Sequence, residues 1–277
     1  VDEGAGLDEG AGLEEAERMN SVISFSLFGS APLYCQGALR NAEKYPQLLP
    51  GWRCVFFVSS DVPQNVKLKL KQAGAELRDP DPQISNGMFW RFTVLDDLKV
   101  QRAIFRDTDS RPSQREVLAL KEWEKSSKPF HSMADHVHHT LPLGGGLWGV
   151  DFSKFRDAVS TPHLNDKLES IIERTPCVPH LLRHVTEAIV KSRLATRPYK
   201  RETSYSLDQT FLTHFIWPLA KKHGVLRHDL ATRHLFRESV PWPGGSGFSD
   251  LSFVGEIIDQ NEQPNWNHRF RRLNYLA

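Results

Sequence analysis

Two carboxylates one residue apart, Asp107 and Asp109, close the stretch "AIFRDTDSR" just past a short apolar run. Oxygen donors at this spacing suit a hard divalent cation, held at about 2.1 Å with positions left over for substrate phosphates. The competing reading is a polar turn whose acids meet only water. Arg106, Arg111 and Arg115 flank the pair and would either meet a phosphate or neutralise the acids. Further on, "HSMADHVHH" gathers His131, Asp135, His136, His138 and His139, a set that a metallohydrolase would use and that a polar loop would equally display. Three glycines, Gly144, Gly145 and Gly146, precede Trp148, and Asp208 and Gln209 sit in "YSLDQTFL".

The elements that must position these groups read as alternating strands and helices. "SVISFSLFG" alternates and ends in a glycine, as a strand opening into a loop does. "LYCQGALRNAEKYPQLL" is helical up to Pro50-Gly51, and "WRCVFFVSS" has the continuous apolar run of a strand buried on both faces. "NVKLKLKQAGA" reads as a helix, "AELRDPDP" as a weak strand, "MFWRFTVLDDL" as a helix and "VQRAIFRDTDS" as the strand delivering Asp107. This order predicts an α/β fold with a mostly parallel central sheet flanked by helices, in which ligands bind beyond the carboxyl ends of the strands. "REVLALKEWEKS" then reads as a helix, "KPFHSMADH" as a strand, and "LPLGGGLWGVDFSKF" as a glycine run leading into a helix. "HLNDKLESIIERT", "LLRHVTEAIVKSRLAT" and "YSLDQTFLTHFIWPLAKKHG" are helical, the last opening at Asp208 and ending at Gly224.

Charge and composition narrow the function classes. The 35 basic and 34 acidic residues leave a formal net charge of +1, so no global field advertises a nucleic-acid ligand and any anion site must be local. No apolar run approaches the ~18 residues of a membrane span, and no secretory signal pattern is evident. Three cysteines without metal-ligand spacing (Cys35, Cys54, Cys177) read as reduced thiols of a cytoplasmic protein. Residues 1–18 repeat DEGAGL, have nothing to bury, and read as a disordered acidic leader, or alternatively a regulatory arm, leaving 19–277 as one catalytic domain.

The ordered set "RAIFRDTDSR", "KPFHSMADH", "LGGGLWGV" and "YSLDQTFL" resembles the GT-A nucleotide-sugar glycosyltransferases, in particular a group of bacterial and viral sugar transferases and, more distantly, the glycogenin-like retaining enzymes. The resemblance runs from about Ser21 to Glu256 and implies a single GT-A-like domain. It implies a sugar moved from a UDP- or GDP-sugar donor to a hydroxyl of a glycan or surface polysaccharide, with Mn²⁺ or Mg²⁺ as cofactor. Asp107 and Asp109 would then bind the metal, and Asp135 would contact donor-sugar hydroxyls. Phe28 and Gly29 would border the nucleotide, and Arg91 would orient the donor. Gly144 to Gly146 and Trp148 would shape the acceptor side, and Asp208 and Gln209 would sit beneath the anomeric carbon, which favours retention slightly over inversion. The glycogenin-like enzymes draw a third metal ligand from a C-terminal H-x-x-G-x-x-K-P-W motif that this sequence lacks; His228 and His234 are the positional candidates.

Other readings stand beside these. A metallohydrolase would use the His131–His139 cluster, and a non-catalytic sugar-nucleotide or glycan-binding protein would keep the fold without turnover. Trp90 and Phe92 read as core aromatics rather than a base-stacking platform. "HRFRR" reads as a solvated basic face, with peripheral contact to an anionic membrane as its alternative. The stretch from Pro241 to Ser249, with Trp242, is either local packing or a lid over the donor.

Overall fold

Serines punctuate the first strand for a reason that its neighbours reveal. In the computed structural model, which describes residues 20–155, 182–194, 206–230, 232–244, 252–267 and 269, β1 spans Ser21–Leu27 and is buried almost throughout. Ile23, Phe25 and Leu27 enter one core, while Val22 enters the other. Ser24 and Ser26, on Val22's face, instead hold the Arg91 backbone. Ser24 Oγ donates to the Arg91 carbonyl (2.7 Å), and the Arg91 amide donates to Ser26 Oγ (3.0 Å).

The remaining elements follow in order. They are α1 (Pro32–Leu48), β2 (Arg53–Val58), α2 (Gln64–Gln72), β3 (Glu76–Arg78), a 3-10 helix (Gly87–Asp96), β4 (Arg102–Phe105), α3 (Gln114–Lys125), β5 (Phe130–Ala134) and β6 (Trp148–Asp151). After a second 3-10 turn (Phe152–Phe155) come α4 (Val185–Ser192), α5 (Leu207–Phe211), a π turn (Leu212–Ile216), α6 (Trp217–His223), β7 (Val225–Asp229) and β8 (Ser239–Val240). They form one eight-stranded sheet in the order β3-β2-β1-β4-β6-β5-β7-β8. Every pairing is parallel except the two that β6 makes, with β4 and β5. The expected α/β class, a mostly parallel sheet flanked by helices, is what the chain adopts.

β2 shows why a sheet covered on both faces reads as a continuous apolar run. Val55 and Phe57 pack into the core shared with the 3-10 helix and α4 to α6, whereas Cys54, Phe56 and Val58 pack beneath α1, α2 and α3. Burial pushes the Cys54 thiol up to about 12, so it is an inert core group.

Three sequence expectations change. The segment 87–96 is a 3-10 helix rather than an α-helix. "LWGVD" is strand β6, not the start of a helix: Gly149 lets Ile104 and the Trp123 ring approach the backbone, where a Cβ would lie 2.8 Å from Ile104 Cγ2. "VLRHD" after Gly224 forms β7, a strand not foreseen. The acidic leader, the helix expected at 163–175, Cys177, residues 245–249 and most of "HRFRR" lie outside the described residues.

Between α3 and the sheet runs a layer of buried charge. Arg106 Nε donates to Glu116 Oε1 (2.6 Å), and the Tyr45 hydroxyl donates to the same carboxylate (3.1 Å). Arg115 grips Asp135 through Nε and Nη2 (2.7 and 2.8 Å). His131 Nε2 lies 2.9 Å from His228 Nδ1, with the His131 ring stacked on Trp123. Burial drives His131 well below its ordinary value of 6.5 and lowers His228 as well. Both therefore stay neutral in the fold while the unfolded chain protonates near 6.5. Their contribution is complete above that pH and is lost as pH falls below it, at about 1.4 kcal/mol per histidine per pH unit. Urea melts at descending pH should show this slope, and His228→Gln, which cannot protonate, should flatten it.

Candidate functional site

The carboxyl ends of β1, β4 and β5 point to one edge of the sheet, and antiparallel β6 begins at that same edge. The glycine run that precedes β6 therefore meets the acids that follow β4. Arg91, from the 3-10 helix, is the hub. Only 4% exposed, its guanidinium donates through Nη1 to Asp107 Oδ1 and to the Arg106 carbonyl (3.2 Å), and through Nη2 to Asp208 Oδ2 (3.0 Å).

The two acids that it joins differ in setting. The Asp107 side chain is 48% exposed, that of Asp208 1%. Burial raises the Asp208 carboxyl above its usual range, the Arg91 charge opposes that rise, and Asp107 adds to it. Asp208 Oδ1 is buried without a hydrogen-bond partner, an acceptor kept dry at the site. Asp208 enters α5 from Ser206, which holds a left-handed backbone (φ 72°), an uncommon state for a non-glycine residue.

Gly145 and Gly146 are required by proximity. A Cβ on Gly145 would lie 2.4 Å from Asp208 Oδ2 and 2.7 Å from Arg91 Nη2; one on Gly146 would lie 2.1 Å from Asp107 Oδ2. Only glycine allows backbone this near the ion cluster. The structure thus brings Arg91, Asp107, Asp208, Gly145 and Gly146 together. Gly144 forms the turn before them, its carbonyl accepting from the Leu147 amide (3.1 Å). Gln209, half-buried, is next to Asp208 on α5.

Asp109 completes the pair. Its carboxyl is pushed up to about 6, first by desolvation and then by the charge of Asp107. A neighbouring carboxylate close enough to raise the proton affinity of Asp109 is also one with which it could share a divalent cation.

Phe28 and Gly29 follow β1 at this edge. The Phe28 ring meets Trp90 edge-on at 5.7 Å, and Gly29 (φ 74°) donates its amide to Asp61 Oδ1 at 3.0 Å. Trp90, half-buried rather than a core aromatic, lines a cleft of about 480 Å³ beyond the ends of β2 and β3, with Ser59, Lys67, Asp79 and Ile84 also on its wall. Phe92, by contrast, is fully buried as expected. Trp90 on the cleft wall and Arg91 in the ion cluster are consecutive residues of the 3-10 helix.

Three expected site residues are not brought to this cluster. Trp148 is fully buried, stacked on Phe105 with centroids 4.2 Å apart; as a β6 core residue it presents no face to an acceptor. Asp135 spends both oxygens within the protein, on Arg115 and on the Val254 amide (3.0 Å), leaving nothing for donor-sugar hydroxyls. His228 stands on β7, three strands from β4 and so about 14 Å across the sheet. Its ring is buried on the α3 face beside His131, with Nε2 3.4 Å from Glu122, rather than beside Asp107 and Asp109. His234 is exposed in the turn after β7.

The histidine cluster is likewise occupied. His139 Nδ1 accepts from the Asp135 amide (3.1 Å), His136 Nδ1 accepts from the His138 amide (3.2 Å), and the His136 ring lies 4.4 Å from that of Phe253. Among the described residues no three His, Cys, Asp or Glu side chains converge as metal ligands, and no helix is long and apolar enough to cross a membrane.

No family model matches the sequence, and no curated protein does. Among solved structures, the chain is similar to a mannosyl-3-phosphoglycerate synthase from Rubrobacter xylanophilus, with 11% identity over 70% of this chain and 84% of that one and a TM-score of 0.37. A mannosyltransferase from Pyrobaculum calidifontis in complex with GDP-Man and Mn²⁺ shares 12% identity over 73% of this chain and 71% of that one, at 0.35. A cytidylyltransferase from Leptospira borgpetersenii serovar Hardjo-bovis shares 9% over 66% and 77%, at 0.34. Scores this low leave the site to be read from its own geometry.

Proposed function

We propose that the protein is a GT-A-like glycosyltransferase that moves a sugar from a nucleoside-diphosphate donor to an acceptor hydroxyl, with Asp107 and Asp109 holding Mn²⁺ or Mg²⁺. The observation that carries this reading is the convergence, at the carboxyl edge of the parallel strands, of Asp107, Arg91 and Asp208 against Gly145 and Gly146. Four separate stretches supply those groups.

The residues fit the cation. Asp107 and Asp109 offer hard carboxylate oxygens, one of them half exposed, and two protein ligands are what a phosphate-bridging site needs, with donor phosphates and water completing the shell. When bound, the cation offsets the negative charge that grows on the departing diphosphate. The chain's own groups do the rest. The cleft beside Trp90, Ser59 and Lys67 receives the nucleoside, with the Trp90 ring available to the base. The Arg91 guanidinium fixes Asp107 and Asp208 relative to each other. Asp208, buried beside Arg91, would lower electrostatically the energy of the positive charge that builds on the sugar carbon. The acceptor would approach from the side of Gly144 to Gly146. A glycan or surface polysaccharide is the acceptor class.

The test is thermal stabilisation by UDP and by GDP, with and without Mn²⁺. Saturation at a hundred times Kd adds about 2.7 kcal/mol. Asp109→Asn, or EDTA, should abolish the metal-dependent part. Equal binding of both nucleotides in EDTA would remove the metal from the scheme.

A further inference from the structure

The turn that carries Asp109 is braced from outside by a segment more than 140 residues later in the chain. Arg111 Nη1 donates to the Thr108 and Ser110 carbonyls (3.2 and 3.0 Å), so its guanidinium grips the peptide groups on both sides of Asp109. The same guanidinium donates through Nε and Nη2 to Glu262 Oε1 (3.1 and 2.9 Å). Glu262 Oε2 accepts from Lys44 of α1 (3.2 Å). Ahead of Glu262, the Ile258 amide donates to the Asp109 carbonyl itself (2.8 Å).

Glu262 is presented by a built turn. The Asn261 and Gln263 amides both donate to Asp259 Oδ1 (2.8 Å each), the Asp259 amide donates to the Gln263 carbonyl (2.9 Å), and Ile258 bridges Pro264. Glu262 takes a left-handed backbone there (φ 61°). From the opposite side α1 fits just as tightly: a Cβ on Gly37 would lie 2.0 Å from the Thr108 carbonyl oxygen and 2.9 Å from Arg111 Nη1. The Asp109 turn is therefore held between α1 and a hairpin at 257–265, and the Arg111–Glu262–Lys44 ion pairs fasten the two sides.

We infer that Glu262 is a positioning residue for the metal site, acting through Arg111 to hold Asp109 at the distance from Asp107 that a divalent cation requires. This rests on the nucleotide-sugar reading above. Ligand orientation by such outer contacts governs affinity strongly, since a ligand free to swing must be ordered at the moment of binding. An ion pair with partly exposed partners contributes little to global stability, so its effect belongs in local order rather than in the melting temperature.

Two readouts test the inference on the full chain. Hydrogen exchange in the ligand-free protein follows the Ile258 amide, and thermal shift with MnCl₂ titrated against GDP or UDP follows the metal. Glu262→Ala should speed Ile258 exchange by about fivefold and raise the Mn²⁺ concentration for half-maximal stabilisation by about tenfold. Glu262→Gln, which keeps an acceptor for Arg111, should recover much of both. Faster exchange with an unchanged Mn²⁺ midpoint would overturn the positioning role, and wild-type values in both readouts would leave only a surface ion pair. If the unaltered protein shows no Mn²⁺-dependent stabilisation by either nucleotide, the nucleotide-sugar reading falls. Ile258 exchange then decides the brace alone, and an unchanged rate in Glu262→Ala overturns it.

Discussion

Asp208→Asn should lower turnover by about 10²–10³-fold while nucleoside-diphosphate affinity stays near that of the parent protein. Removal of one preorganised electrostatic group from a dry site costs that much when the group acts mainly in the transition state. Asparagine keeps the volume of aspartate and an oxygen to accept from Arg91 Nη2, so the cluster's geometry survives. What disappears is the carboxylate's negative charge, which the fold has kept buried beside Arg91. Steady-state kinetics together with Mn²⁺-dependent nucleotide binding check the prediction. A fall in kcat and in kcat/KM by the same factor, with unchanged binding, is the expected pattern; normal turnover would move the chemistry away from Asp208.

Arg91→Met should be the most destabilising change at the site, by about 3–5 kcal/mol, because it strips a fully buried carboxylate of its one ion-pair partner among the described residues. Asp107, half exposed, can turn to water, and its loss adds little. Chemical denaturation measures the cost. Asp208→Asn placed on the Arg91→Met background removes the stranded charge and should restore most of the stability without restoring activity. Such a rescue would assign the loss to the Arg91–Asp208 pair; absence of any rescue would assign it to packing around the 3-10 helix.

The parts of this site that could be read in sequence are those written in neighbouring residues. "AIF" marks a buried strand, so Asp107 falls at its end; "SLDQTFL" marks a helix opening at Asp208. The glycine run stood out in the sequence only as a shaper of the acceptor side; the fold shows that Asp107 and Asp208 come up against it. Strand β6 was masked because four residues after three glycines carry too little periodicity to separate a strand from a helix start. Asp135 and His228 were misplaced for a different reason. Order along the chain puts them near the sheet's carboxyl edge, whereas their function depends on which face they point to and which partner, Arg115 or His131, claims them there. The Arg111–Glu262 contact spans 151 positions and leaves no local trace at all.

The charged layer under α3 has a consequence for how that helix docks. Arg115 and Glu116 project side by side from the first turn of the helix, and each must find a separate buried partner: Asp135 and Arg106. A greasy interface tolerates sliding, because one methyl group replaces another at small expense. Here a rotation of a single residue would leave Arg115, Asp135, Arg106 and Glu116 desolvated and unpaired together, which a domain of ordinary stability could not absorb. Helix α3 is in effect keyed, like a lock with several wards. Since Asp135 also accepts from the Val254 amide, the key holds the segment just ahead of the 257–265 hairpin along with the helix.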